Sequence, residues 1–110
     1  PLWRHLGGVN QEISSGVSIG IQDTVEELLE KIKTEIDAGY QRIKIKISPK
    51  WDYDVIAKVR ETFGDIPLMG DANSAYTLAD TELFKKMDDF NLMCGVDCLT
   101  NFDKNFQPFF

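Results

Sequence analysis

The chain is short of most features that would announce a function at once. Its two cysteines, Cys94 and Cys98, are too few for a disulfide framework, and a Cys-x-x-x-Cys pair without further Cys or a nearby His is a poor zinc pattern. Reduced thiols in a cytoplasmic setting are the expectation. The single histidine, His5, stands alone ahead of the first strand signal and reads as a surface residue. No apolar run approaches the roughly 20 residues that span a bilayer, and no charged-then-apolar leader opens the chain, so neither a membrane partner nor export is expected. A basic surplus is missing too: 12 Lys and Arg stand against 18 Asp and Glu, for a net charge of −6 and a pI near 4.6. That balance argues against nucleic acid or an anionic lipid surface, both of which reward basic patches. Phosphate loops are absent, since no Gly-x-Gly-x-x-Gly or Gly-x-x-x-x-Gly-Lys follows any strand signal and Gly7-Gly8 precedes the first one. Length is limiting as well. The 110 residues hold one small domain, whereas a complete eight-fold barrel needs roughly 250. A start at Pro1 without Met is what a chain cut from something longer would have. A small-molecule site remains open.

What is present is led by the run Arg42-Ile43-Lys44-Ile45-Lys46-Ile47, followed about one βα unit later by Gly70-Asp71-Ala72-Asn73. In an extended strand successive side chains alternate faces, so Ile43, Ile45 and Ile47 share an apolar face while Arg42, Lys44 and Lys46 share the other. Such alternation also describes an ordinary half-exposed strand whose lysines guard an edge, and Gly-Asp-Ala-Asn alone is an ordinary strand-to-helix turn. Co-location favours chemistry. Both motifs fall at the C-terminal ends of consecutive strands, where α/β folds build their sites.

The rest of the chain repeats one supersecondary unit. Val17 to Ile21 reads as a short buried strand. Asp23 or Thr24 caps a helix that runs to about Ala38, with Glu26 and Glu27 in its positive first turn and Gly39 as its stop. Leu28, Leu29, Ile32 and Ile36 recur at helical spacing as a core stripe. Arg42 to Ile47 is the second strand and Ser48-Pro49-Lys50 its loop. Trp51 to Phe63 forms the second helix, with Val55, Ile56 and Val59 inward and Gly64 as terminator. Pro67 to Asp71 is the third strand. Thr77-Leu78-Ala79-Asp80 resembles a capping box with Asp in place of Glu, opening a helix to about Asp88, and Leu92 to Val96 reads as a fourth strand. Strands alternating with amphipathic helices at about 25 residues predict a parallel sheet, either a barrel or a doubly wound open sheet. Without a phosphate loop the barrel is favoured.

The string Gly16-Val17-Ser18-Ile19-Gly20-Ile21, then Gly39 through Ile47, Asp71-Ala72-Asn73 and Tyr76-Thr77-Leu78-Ala79-Asp80, closely resembles the enolase superfamily. Within it, the branch of o-succinylbenzoate synthase and N-acylamino acid racemase is the nearer match. The resemblance implies the N-terminal part of a (β/α)8 barrel, about three to four βα units, with the capping domain and the C-terminal half missing. Residues 1–16 would lead out of that capping domain, residues 17–103 would form the partial barrel, and residues 104–110 would be a divergent tail. It further implies that Lys46 is an acid/base catalyst, that Lys44 holds the substrate carboxylate and perturbs its partner, that Asp71 is the first of three carboxylates on an essential Mg²⁺, and that Asn73 is a supporting polar group. A Lys or His base with Mg²⁺ is the established pairing of that superfamily. Its physics is plain: removing a proton α to a carboxylate concentrates negative charge that a hard cation can stabilise, and a lysine beside another ammonium is disfavoured in its charged form.

Departures from the family pattern shape the expectation. Where the fourth strand usually ends in Ile-Glu-Gln-Pro-Leu, alignment on Leu99 puts Val96 in place of the second metal ligand, and Asp97 is one residue off, on the opposite face. The run Lys104 to Phe110 matches nothing further. A parent enzyme would abstract an α-proton from a small carboxylate substrate, giving dehydration in menaquinone biosynthesis, racemisation of N-acyl amino acids, or both. It would be a lyase or an isomerase. This chain alone is expected to hold Mg²⁺ weakly or not at all, to be inactive, and to self-associate through exposed barrel edges. The other readings are a non-catalytic truncated or pseudogene product and an unrelated α/β binding domain in which Lys46 and Asp71 form a simple salt bridge.

Overall fold

The computed structural model describes residues 1–9 and 12–93 and the backbone of residues 95–96. Its elements run α1 (Leu2–His5), β1 (Gly16–Ile19), α2 (Val25–Asp37), β2 (Arg42–Lys46), α3 (Tyr53–Phe63), β3 (Leu68–Asp71), α4 (Thr81–Met87) and β4 (Gly95–Val96). Single turns of 3-10 helix, Leu78–Asp80 and Asp88–Phe90, flank α4. Among these residues no helix is long and apolar enough to cross a membrane.

Local chemistry accounts for the helix ends. Thr24 caps α2 by accepting the Glu27 N–H at 3.2 Å, so of the two candidate caps the hydroxyl is the one used. Asp52 caps α3, which therefore begins at Tyr53 instead of Trp51. Gly39 and Gly64 follow α2 and α3 at φ of +98° and +64°, a region closed to most side chains. The capping box closes in both directions, with the Thr77 N–H donating to the Asp80 carboxylate at 2.8 Å and the Ala79 N–H to the Thr77 hydroxyl at 3.3 Å. One turn of 3-10 helix then precedes α4, so the single helix expected over 77–88 is divided into three short pieces. β1 lies slightly earlier than expected, ending at Ile19 and leaving Ile21 exposed, and the four-residue α1 has no counterpart in the pattern reading. His5 is exposed, as expected.

The four strands are parallel and lie in the order β1-β2-β3-β4. Each crossover advances one strand in the same direction, so these strands contain no switch point of the kind that marks a doubly wound sheet. Alternation sorts the faces. Ile19, Ile43, Ile45, Ile47 and Leu68 are buried in one cluster with Leu28 and Ile32 of α2, Val55, Ile56 and Val59 of α3, and Met87 of α4. Each such side chain withdrawn from water contributes roughly 1.5–3 kcal/mol, an upper estimate because the unfolded chain is itself partly collapsed. Ser18, Arg42, Lys44, Lys46, Met69 and Asp71 occupy the alternate positions, on the face away from that cluster.

Candidate functional site

Register brings the polar face to a focus at the C-terminal end of the sheet. Asp71 ends β3 and stands directly across from Lys46 on one side and from the backbone of Val96 on the other. Lys44, one step back along β2, is its diagonal neighbour, within reach of a four-carbon side chain. Its ammonium lies 2.9 Å from Asp71 Oδ2, with the lysine side chain about one third exposed and the aspartate nearly covered. Asp71 Oδ1 accepts the Asn73 N–H at 3.2 Å, the turn by which an aspartate holds the backbone two residues on. Asp71 is the one buried charged side chain among the described residues. Its carboxyl is held below the usual carboxylate range, chiefly by the hydrogen bond from Lys44; burial opposes the shift, while the Asn73 N–H and the charges of Lys44 and Lys46 add to it.

The four site residues named from the sequence, Lys44, Lys46, Asp71 and Asn73, thus have definite places. Lys44 and Asp71 form an ion pair, where the simple-salt-bridge reading had paired Lys46 with Asp71. The directly opposed Lys46 is exposed and makes no hydrogen bond or ion pair among the described residues. Asn73 supports Asp71 through its backbone N–H, while its side chain is exposed. Val96 occupies the register position beside Asp71, so the strand neighbour that a second carboxylate would need is a valine. Cys94, Asp97, Cys98 and the 104–110 tail lie outside the described residues.

Two loops frame this focus. In the β2–α3 loop Ser48 and Trp51 exchange backbone hydrogen bonds of 3.1 and 2.8 Å, and Lys50 takes φ of +76°. In the β3–α4 loop Asn73 and Ser74 are both left-handed, at φ of +44° and +59°. The two loops are joined by Tyr76, whose hydroxyl donates to Asp52 Oδ2 at 2.9 Å. Pattern reading missed this pair, because a tyrosine after a run of small residues has no periodicity to place it.

As a metal centre the described residues are incomplete. No group of three His, Cys, Asp or Glu side chains converges among them. Asp71 supplies one hard oxygen donor set, but both oxygens already accept N–H donors from Lys44 and Asn73. The residues present do not fit a Mg²⁺ ion unless further carboxylates join and Lys44 is displaced.

Comparison with known proteins gives this arrangement its context. Residues 27–95 match the family model described as "Enolase C-terminal domain-like". The chain is similar to the o-succinylbenzoate synthase of Geobacillus kaustophilus, at 57% identity over 93 residues, covering 84% of this chain and 25% of that protein. It is 49% identical over 92 residues to the N-succinylamino acid racemase of Thermus thermophilus, covering 84% of this chain and 25% of the relative. Among solved structures, an enolase-superfamily member of unknown role from Enterococcus faecalis superposes with a TM-score of 0.85 at 38% identity, covering 89% of this chain and 27% of that one. A racemase from Streptomyces coelicolor solved with bound magnesium superposes with a TM-score of 0.78 at 26% identity, covering 90% of this chain and 29% of its own. The chain spans about a quarter of the length of the curated relatives it matches.

Proposed function

The chain belongs to the enolase C-terminal domain-like family, and from that membership we propose that it is the early portion of a (β/α)8 barrel whose parent abstracts a proton α to a carboxylate. The reaction of the parent is dehydration of the o-succinylbenzoate synthase type, racemisation of an N-acylamino acid, or both, as the names of its relatives suggest. The observation that carries this reading is the focus at the strand ends: a buried Asp71 paired to Lys44, with Lys46, which has no ion-pair partner among the described residues, in the register position directly across. Lys46 takes and returns the α-proton at Nζ. Lys44 orients carboxylate oxygens, its own Asp71 in this chain and the substrate's in the parent. Mg²⁺ is the metal of the parent, supported by the magnesium in the Streptomyces racemase. Among the described residues Asp71 alone does not make its site.

Acting alone, the chain turns over no substrate to a measurable extent, and β1 and β4, the edge strands among the described residues, favour association with a complementary half-barrel or with a second copy. The experiment is a chimera in which residues 12–93 replace the corresponding stretch of the Geobacillus kaustophilus synthase. Exchange of the substrate α-hydrogen in D2O should persist, and Lys46→Ala should reduce it by about 10²–10⁴-fold, the usual worth of a positioned general base. Undiminished exchange in the Lys46→Ala chimera would remove the assignment.

A further inference from the structure

We propose that Tyr76 is a positioning residue that holds the loop bearing Asp71's backbone partner against the loop that follows Lys46. This rests on the reading of Lys44, Lys46 and Asp71 as the site, but its test does not. Between Asp71 and Tyr76 the chain has little freedom. The Asn73 N–H is bound to Asp71 Oδ1, the Ala75 N–H donates to the Ala72 carbonyl at 3.0 Å, and Asn73 and Ser74 stay in the left-handed region that non-glycine residues leave when nothing holds them. Tyr76 closes the loop with a ring only 1% exposed, set edge-on to Phe84 at 5.0 Å.

The other end of the tie is equally fixed. Asp52 Oδ1 accepts the Tyr53 N–H at 2.6 Å, and the Asp52 carbonyl accepts the Ile56 N–H at 2.9 Å, the first turn of α3. The Ser48–Trp51 pair links Asp52 back to the end of β2. A hydrogen bond from the Tyr76 hydroxyl to the second Asp52 oxygen therefore joins two already rigid loops, one behind each of the two site-bearing strands. Bonds to a carboxylate are stronger than neutral ones, and this one is shielded by the buried ring. Packing alone needs only the ring, which phenylalanine would supply. The hydroxyl adds the register between the loops, and with it the direction of the Asn73 N–H toward Asp71.

Amide hydrogen exchange followed by NMR on the whole chain separates these roles. In Tyr76→Phe the Asn73 and Ala75 amides should exchange about tenfold faster or more, and the Asn73 amide resonance should move, while Leu28 and Ile32 in α2 keep their rates. With Tyr76 kept, Asp52→Asn, whose amide can still hydrogen-bond the hydroxyl, should leave exchange at Asn73 slow; Asp52→Ala should speed it. Unchanged exchange at Asn73 and Ala75, or an equal rise at Leu28 and Ile32, would overturn the proposal. Should Tyr76→Phe not fold, low-urea exchange of the unmodified chain decides. Asn73, Ala75 and Trp51 must then open with one common free energy and denaturant slope, and distinct values would overturn it. No turnover enters these measurements, so an inactive chimera would count against the proposed reaction and leave this inference standing.

Discussion

The two ends of the same sheet are built on different principles. At the end where β3 and β4 begin, Arg60 of α3 donates to four backbone carbonyls, those of Gly64 and Ile66 ahead of β3 and of Phe90 and Asn91 ahead of β4, at 2.7–2.9 Å. One planar cation satisfies neutral acceptors on both connections, which is a device for holding strands in place. At the end where β2 and β3 finish, an ammonium faces a buried carboxylate, a second ammonium has no ion-pair partner among the described residues, and Lys50, Asn73 and Ser74 adopt left-handed backbone. Opposed charge gathers where the sheet ends and the clamp lies where it starts, while left-handed backbone occurs at both, since Asn91 at the clamp end takes φ of +48°. Parallel α/β proteins commonly divide stability from chemistry in this way.

The largest test of that contrast is Arg60→Met, which keeps the apolar stem and removes every N–H donor. Urea unfolding should show a loss of about 3 kcal/mol, with Arg60→Lys recovering only part because an ammonium cannot match the planar fork. A loss below about 1 kcal/mol would mean that Arg60 is not the clamp.

Next in size is Lys44→Met, which leaves Asp71 buried without its cation and should cost about 1–2 kcal/mol at pH 7. Because the folded Asp71 carboxyl is depressed below its unfolded value, the contribution of the pair is fully present above the ordinary carboxylate range near 3.9. It fades as pH falls through that value and then through the lower folded one. The gap in unfolding free energy between the two proteins should therefore shrink as the pH falls below the ordinary carboxylate range. A gap independent of pH would assign the loss to packing of the lysine stem.

Smaller still, Lys50→Gly should stabilise the chain by roughly 0.5–1 kcal/mol, since glycine tolerates φ of +76° where lysine is strained. Thermal melting reads the sign, and destabilisation would show that the Lys50 side chain contributes more than its backbone costs. Smallest is Lys33→Ala. Its pair with Asp37 lies in water, with the two side chains 72% and 65% exposed, so a change of about 0.3 kcal/mol is expected. That sets the exposed baseline against which the Lys44–Asp71 pair is judged.

Periodicity made much of the fold legible in the chain. The alternation in 42–47 assigned Ile43, Ile45 and Ile47 to the core, and helical spacing did the same for Leu28, Ile32, Val55, Ile56 and Val59. Caps, glycine stops and the capping box follow from chemistry a few residues long, so they too were readable, although the split of the last helix was not. Lys44 and Lys46 could be named because strand alternation puts both on the polar face, and Asp71 because its motif ends the next strand; the roles expected of them rest on the family resemblance. Which lysine would pair with Asp71 could not be read, since register places Lys46 opposite while the bond runs along the diagonal. The Tyr76–Asp52 tie and the Arg60 clamp escaped for a related reason: their partners lie 24 to 31 residues away, or are carbonyls that any sequence carries.

By itself, then, the sequence determined the alternating α/β pattern, the strand faces and the three charged residues that make the focus, because these depend on backbone periods and on side chains a turn apart. Only the tertiary structure decided the sequential strand order, the Lys44–Asp71 pairing, the support of Asp71 by the Asn73 N–H, and the position of Val96 beside it. Those depend on how separate strands align and twist against one another, which is set by the packing of the whole sheet on its helices.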